Sequence, residues 1–347
     1  MRLDVRGHPL HTRALGVTLS QGTGGRLAIH GTVLDVRKRG FVPVGGDLQG
    51  TGIIHHMLLD GVIDPETATL ESIVAAQPSV AFEATPSTGG ESCRDPVARI
   101  GAVAGARLDD GFGRRVSASI GGPRGCSHLM TLAHLLGSTA AWALERDRLV
   151  HGTAPGRALG QRLYQRDVIV DGHEPAPGRL ALALQLADLH FAPAPPRARP
   201  MDRFAGQLEF RAHAEVDLTT FTLTGLEGSE RRRGLDDLEQ APWRPRDDVL
   251  AGLVGLRLGA GITGELIGRL GAAPADRPLL DALLMLAPTI IQCSAALSES
   301  WAHAYKTNAS LVGMGGLPDS CYMWRRDGVL GRTREAEGAM PPSRPSG

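Results

Sequence analysis

Lysine is nearly missing from this chain: Lys38 and Lys306 are the only two. Arginine supplies the remaining positive charge, and 37 basic residues face 37 acidic ones, so the formal net charge is zero. A neutral chain has no basic excess with which to hold a polyanion, which argues against nucleic acid or an anionic membrane as the main partner. Aromatic residues make up only 4% of the sequence. The four cysteines, Cys93, Cys126, Cys293 and Cys321, contain no C-x-x-C pair. Their wide spacing fits reduced thiols in a soluble, cytoplasmic protein. The N-terminus has no apolar run of the kind a signal peptide needs, and no stretch reaches the roughly 18 apolar residues of a spanning helix. Nucleotide signatures are also missing. Gly111-Phe112-Gly113 and the glycine-rich stretch 313–316 carry neither the dinucleotide fingerprint nor a Gly-Lys-Ser/Thr ending. Neither G-x-S-x-G nor H-E-x-x-H occurs. No nucleotide cofactor is therefore expected.

The chain contains a partial copy of itself. Gly25-Arg26-Leu27-Ala28 is matched by Gly178-Arg179-Leu180-Ala181, and Asp35 by Asp188, at an offset of 153. Further on, Gly105, Arg107, Leu108 and Gly111 are matched by Gly255, Arg257, Leu258 and Gly261, now at an offset of 150. Gly121, Leu129, Leu136 and Thr139 keep that offset with Gly271, Leu279, Leu286 and Thr289. Such self-similarity reads as duplication, with one short loop deletion.

Periodicity supports the alignment. Leu180, Leu182, Leu184 and Leu186 alternate with other residues, as do Leu208, Phe210, Ala212, Ala214, Val216 and Leu218, which is a strand signal. Strands are expected at 26–36, 54–63 and 68–76, and at 180–186, 208–218 and 219–223. Helices are expected at 95–107, 110–120 and 127–146, and at 246–257, 260–270 and 276–304. Each half then reads as a small antiparallel sheet followed by helices, an α+β fold. The expected architecture is two tandem homologous copies, 1–150 and 160–331, packed as a pseudo-two-fold pair. Residues 85–91, 148–160 and 193–200 read as loops, Glu230-Arg231-Arg232-Arg233 as a solvated loop, and 332–347 as a disordered tail. The assembly is expected to be either a monomer with pseudo-dimeric halves or a homodimer.

Chemistry concentrates in three stretches. Gly125-Cys126-Ser127-His128-Leu129 sets a thiol and an imidazole at the start of an apolar helix. Free N–H groups there favour a thiolate, and the pair suits an activated thiol or a metal such as zinc or iron. A capping cysteine beside an exposed histidine is the structural alternative. His55 and His56 adjoin on a strand and so face opposite ways; one can serve as acid or base. Cys321 and Tyr322 lie in Asp319-Ser320-Cys321-Tyr322-Met323-Trp324, which reads either as a closing strand that packs aromatics or as part of a site. Asp35, with Arg37 or Lys38, can orient a substrate carboxylate or phenolate.

Taken together these stretches resemble a bacterial family, domain of unknown function 2889. The resemblance rests on His11-Thr12-Arg13, Leu34-Asp35 followed by a basic residue, Ile54-His55-His56-Met57, Gly125 to Leu129, and Asp319 to Gly328. His56 stands where that family usually has Asp, and the closing motif follows the second copy rather than the first. The resemblance implies that Arg13 belongs with the site, and that Asp276 and Pro278 replace Cys126 and His128 in a degenerate second copy. A fainter similarity is to NifU-type iron–sulfur scaffold domains, which implies His55, Cys93, Cys126 and His128 as ligands in that order.

Two classes of function follow. The first is a lyase- or hydrolase-type enzyme acting on a small organic metabolite, aromatic ones included, in a pocket between the copies. Cys126, His128, His55, His56, Asp35 and Lys38 would be its catalytic residues, and Arg13, Arg37, Cys321 and Tyr322 would bind the substrate. A zinc or iron ion on Cys126, His128 and His55 would make it metal-assisted. The second is a metal or iron–sulfur binding protein without turnover, or a non-catalytic binding module.

Overall fold

Alternation between apolar and polar side chains produces long strands in both halves of the chain. The structure is a computed structural model and describes residues 7–44, 47–152, 156–195, 197–259, 261–297 and 317–336. The strands of the first half are β1 (His8–Gln21), β2 (Leu27–Arg37), β3 (Val42–Val44), β4 (Asp47–Gln49), β5 (Gly52–Asp64), β6 (Thr69–Ser79) and β7 (Ala106–Arg107). Those of the second are β8 (Arg162–Ala176), β9 (Arg179–Phe191), β10 (Phe204–Asp217), β11 (Thr222–Arg233) and β12 (Arg244–Pro245). Ten of them form one sheet in the order β12-β11-β10-β9-β8-β1-β2-β5-β6-β7, while β3 and β4 pair as a separate ribbon. The α+β class is as expected, but two small sheets are replaced by one continuous antiparallel sheet.

The join is the pairing of β1 with β8, which runs from His8↔Glu174 to Ser20↔Arg162. Neither strand is expected from the sequence. The reason is that polar residues occupy their core-facing positions. On β1 the buried series includes His11 and Arg13 before Leu15, Val17 and Leu19, and on β8 it includes Arg166 between Tyr164 and Val168. Charges on the inward face hide the period-2 apolar signal.

The helices are α1 (Phe112–Ile120), α2 (Ser127–His151), α3 (Asp247–Leu250), α4 (Ile262–Leu270), α5 (Arg277–Leu283), α6 (Leu286–Ala296) and α7 (Val329–Ala336). The longest, α2, packs on β1, β2, β5 and β8, and α6 packs on β1, β2 and β8. Leu129, Leu132, Ala133, Leu136 and Ala140 form the buried stripe of α2. Each fully buried leucine contributes roughly 1.5–3 kcal/mol relative to an exposed one. Close approach of α6 requires Gly172 on β8: a Cβ there would lie 2.1 Å from the Cys293 sulfur.

Several expectations change in detail. The helix expected at 95–107 is a 3-10 segment, Val97–Val103, that leads into β7. The helix expected at 246–257 is α3 followed by a 3-10 turn. The one expected at 276–304 is broken into α5 and α6, and its last residues, like Lys306 and the stretch 313–316, lie outside the described residues. Within 319–328 a 3-10 turn, Tyr322–Trp324, stands where a closing strand was expected. Arg231 and Arg233 pair with Glu209 on the neighbouring strand, so that run is strand and not loop. Residues 332–336 are helical rather than disordered, and 337–347 lie outside the described residues. Contrary to the sequence reading, one segment, Pro274–Ala296, is long and apolar enough to cross a membrane; it is mostly buried within this fold.

Candidate active site beside helix α2

Three neighbouring strands deliver one row of polar side chains to the buried face. Arg13 on β1 is opposite Asp35 on β2, and Asp35 is opposite His55 on β5. His11 is opposite Arg37 in the same β1–β2 ladder. A bulge at Ile54 shifts the β2–β5 register between Asp35 and Val36, so that Ile54 and His55 are both buried. Bulges of this kind re-aim side chains next to functional sites. Opposite the row, the N-terminus of α2 brings in Cys126 and His128. Gly125 makes the preceding turn possible, because a Cβ at that position would lie 2.3 Å from the Ile120 carbonyl oxygen.

Asp35 is the hub. Its Oδ1 is 2.9 Å from His11 Nε2. Its Oδ2 is 3.4 Å from Arg13 Nη2, 3.5 Å from His55 Nδ1 and 3.3 Å from His128 Nε2. These last three contacts are too long or too poorly aimed to be good hydrogen bonds, and both Asp35 Oδ2 and His55 Nδ1 are buried without a partner. The rings of His55 and His128 stack with centroids 3.8 Å apart. The Gln292 amide nitrogen approaches His128 Nε2 at 3.3 Å from α6.

Electrostatics follow from this packing. Burial alone would raise the Asp35 carboxyl, but the Arg13 charge and contacts from His11 and His55 hold it well below its usual range. His128 is pushed well below the ordinary imidazole value by burial, reinforced by His55 and Arg13 and opposed by Asp35. His11 shifts downward for the same first reason. Burial pushes the Cys126 thiol up to about 12, although backbone N–H groups of Leu129 and His128 act the other way. Desolvation therefore outweighs the helix terminus, and Cys126 is a protonated thiol here rather than the thiolate the sequence suggested. Its sulfur lies 4.0 Å from His128 Nδ1 and 3.7 Å from Met57 Sδ.

A cavity of about 170 Å³ opens onto the row. Arg13, Arg37, His55, Cys126 and His128 line it, together with Phe82, Cys93, Ile291, Cys321, Tyr322 and Trp324. The segment around Cys321 is thus brought back to the first half of the chain, held by the Tyr322 N–H donating to the Gly125 carbonyl at 2.7 Å. Two expected residues are not brought in. His56 is on the other face of β5, and Lys38 is at the end of β2, where its Nζ pairs with Asp171 of β8 at 2.7 Å. Alternation along the strand excludes the first, and the pairing with β8 holds the second.

Sequence reasoning did not place His11 or Gln292 in the site. His11 and Arg13 have the i, i+2 spacing of one strand face, which is the signal that would have found His11. Gln292 carries no signal, because its role depends on how α6 crosses the sheet. Among the described residues, the three that can offer a metal ligand here are Asp35, His55 and His128, whose ligand atoms lie within 4.8 Å of one another. Cys126 is not of that set.

No curated protein and no solved structure matches the chain. Residues 11–142, which carry β1 to β7 and most of α2 with His11, Arg13, Asp35, His55, Cys126 and His128, match the family model described as protein of unknown function (DUF2889).

Proposed function

We propose that the protein is an enzyme that acts on a small organic molecule in the cavity beside α2, by proton-transfer chemistry of the lyase or hydrolase type. The carrying observation is the buried Asp35 with three imidazoles around it: Asp35 Oδ2, His11 Nδ1 and His55 Nδ1 are left unpaired, and His55 and His128 line the cavity. Leaving buried acceptors unsatisfied costs roughly 1–3 kcal/mol each, which a folding role does not justify. His128, held neutral by burial, is a base ready to take a proton from a bound substrate. Asp35, already ionised, would then hold the resulting imidazolium 3.3 Å away and let His55 share the proton. The Cys126 thiol would act as a weak donor and wall rather than as a nucleophile.

The duplication read from the sequence belongs to this proposal. The strand order is mirrored about the β1–β8 join. Arg13 pairs with Val170 and Val17 with Arg166, the reciprocal pairing of an isologous interface under the offset of 153. On this reading the second half is a copy that has lost the site: Tyr164, Leu208 and Pro278 stand for His11, His55 and His128.

One further reading has its own support. Separations of 3.5 and 3.3 Å from Asp35 Oδ2 to His55 Nδ1 and His128 Nε2 resemble the edges of a tetrahedron around a zinc ion with ligands at roughly 2.0–2.2 Å. Against it stands Arg13, whose charge already balances Asp35. The experiment is incubation of the protein with a cell metabolite extract, followed by untargeted mass spectrometry and by elemental analysis of protein purified without chelator. Depletion of a metabolite by the native protein, abolished in folded His128→Ala and His55→Ala, is expected. Absence of any depletion would sink the enzymatic reading. Stoichiometric zinc or iron, lost in Asp35→Ala, would favour the metal-bound form.

A further inference from the structure

The charges around the cavity do not balance among the residues that line it. Arg37 is 3% exposed and lines the cavity. Its Nη1 donates to the carbonyls of Gln49 at 2.8 Å and Gly50 at 3.4 Å, and its Nε is buried with no partner. No carboxylate among the described side chains pairs with it. Burial alone pushes its guanidinium down to about 10. Arg13, also at the cavity and 1% exposed, shares the single carboxylate of Asp35. Two buried guanidinium groups thus meet one buried carboxylate, and no Asp or Glu is among the cavity's lining residues. An unpaired buried cation is expensive and calls for an anion. The start of α2, at Ser127, lies on the same cavity and adds partial positive charge. Part of the cavity wall is apolar, with Phe82 and Trp324 packed edge to face at 5.4 Å.

We infer that the ligand of this cavity is a small organic acid, whose carboxylate pairs with Arg37 and whose compact apolar body lies against Phe82 and Trp324. A planar carboxylate fits the guanidinium fork, and its single negative charge restores neutrality. The inference rests on the proposed enzymatic site and names its substrate class.

The test is binding of benzoate, phenylacetate and hexanoate to the whole protein, each beside its own primary amide, by calorimetry. At least one acid is expected to bind at millimolar concentration or below, roughly tenfold or more tighter than its amide. Arg37→Gln, checked for folding by circular dichroism, should erase that preference, and Arg37→Lys should restore part of it. Amides that bind as well as the acids, or no binding by any of the three acids, would overturn the inference; these outcomes need no variant. Acid binding without turnover of any metabolite keeps the inference and ends the enzymatic reading. Turnover of a neutral metabolite, with no acid bound, does the reverse.

Discussion

Two arginines sit at the same depth of the sheet, Arg13 on β1 and Arg166 on β8, with opposite surroundings. Arg166 is fully paired. It donates Nε and Nη2 to the two oxygens of Asp188 at 2.7 and 2.6 Å, and Nη1 to Asp281. Tyr164 adds its hydroxyl to Asp188 at 2.7 Å, and Ser138 adds its own to Asp281 at 2.8 Å. Arg13 has one contact to a carboxylate, at 3.4 Å, and a buried Nε without a partner. Where Arg166 has Tyr164 and Asp281, the Arg13 cluster has imidazoles and a cavity. The same strand framework thus supports a closed ion cluster on one side and an open one on the other. The closed cluster is organised for stability, and the open one holds unmet polar groups that a ligand can satisfy.

The sharpest way to break this comparison is to remove each arginine. Arg166→Met should cost roughly 3–5 kcal/mol of unfolding free energy, because it leaves two buried carboxylates uncompensated. Arg13→Met should cost clearly less, roughly 1–3 kcal/mol, since Asp35 keeps His11. Equal losses in urea titrations would mean that both clusters are structural. Next in size is Gly172→Ala, which forces a methyl group against Cys293 and should cost roughly 1–3 kcal/mol by overpacking. A melting temperature unchanged from the native protein would show that α6 can slide without loss, and that its contribution to the cavity wall is not fixed.

The smallest effect concerns pH. One guanidinium cannot neutralise two buried carboxylates, so Asp281 is pushed up to about 6, by burial first and by Asp188, against the pull of Arg166, Ser138 and Arg277. Its folded value lies above its unfolded one. Ionised Asp281 therefore weakens the fold above pH 6, and protonation relieves this as pH falls towards 4. Between pH 7 and 5 this group should add about 1 kcal/mol of stability. The comparison is with Asp281→Asn, whose stability should lack that increment; identical pH profiles in the two proteins would refute the assignment.

How much of this was legible in the sequence varies with the physics of each part. Strands β2, β5, β9 and β10 have apolar residues on their buried faces and were found. β1 and β8 were missed because His11, Arg13 and Arg166 occupy inward positions. The residues that hid the central strands are thus the ones that build the two clusters. Cys126 and His128 were found as a pair from local spacing. Their chemical state was not, because a burial-driven rise of the thiol to about 12 depends on what packs above it. Arg37 was named as a substrate-binding residue, but its lack of a carboxylate partner is a tertiary fact. Gln292 and the return of Cys321 to the cavity depend on contacts between distant parts of the chain, which no window of sequence contains.

The wall formed by Cys321 to Trp324 has a consequence for synthesis. Tyr322 bonds to Gly125, a residue made nearly two hundred positions earlier. During translation, the polar row on β1, β2 and β5 is complete long before its apolar cover leaves the ribosome. In that interval Arg13, Arg37 and Asp35 lack this wall, although α2 and the apolar residues of β1, β2 and β5 that it covers are already made.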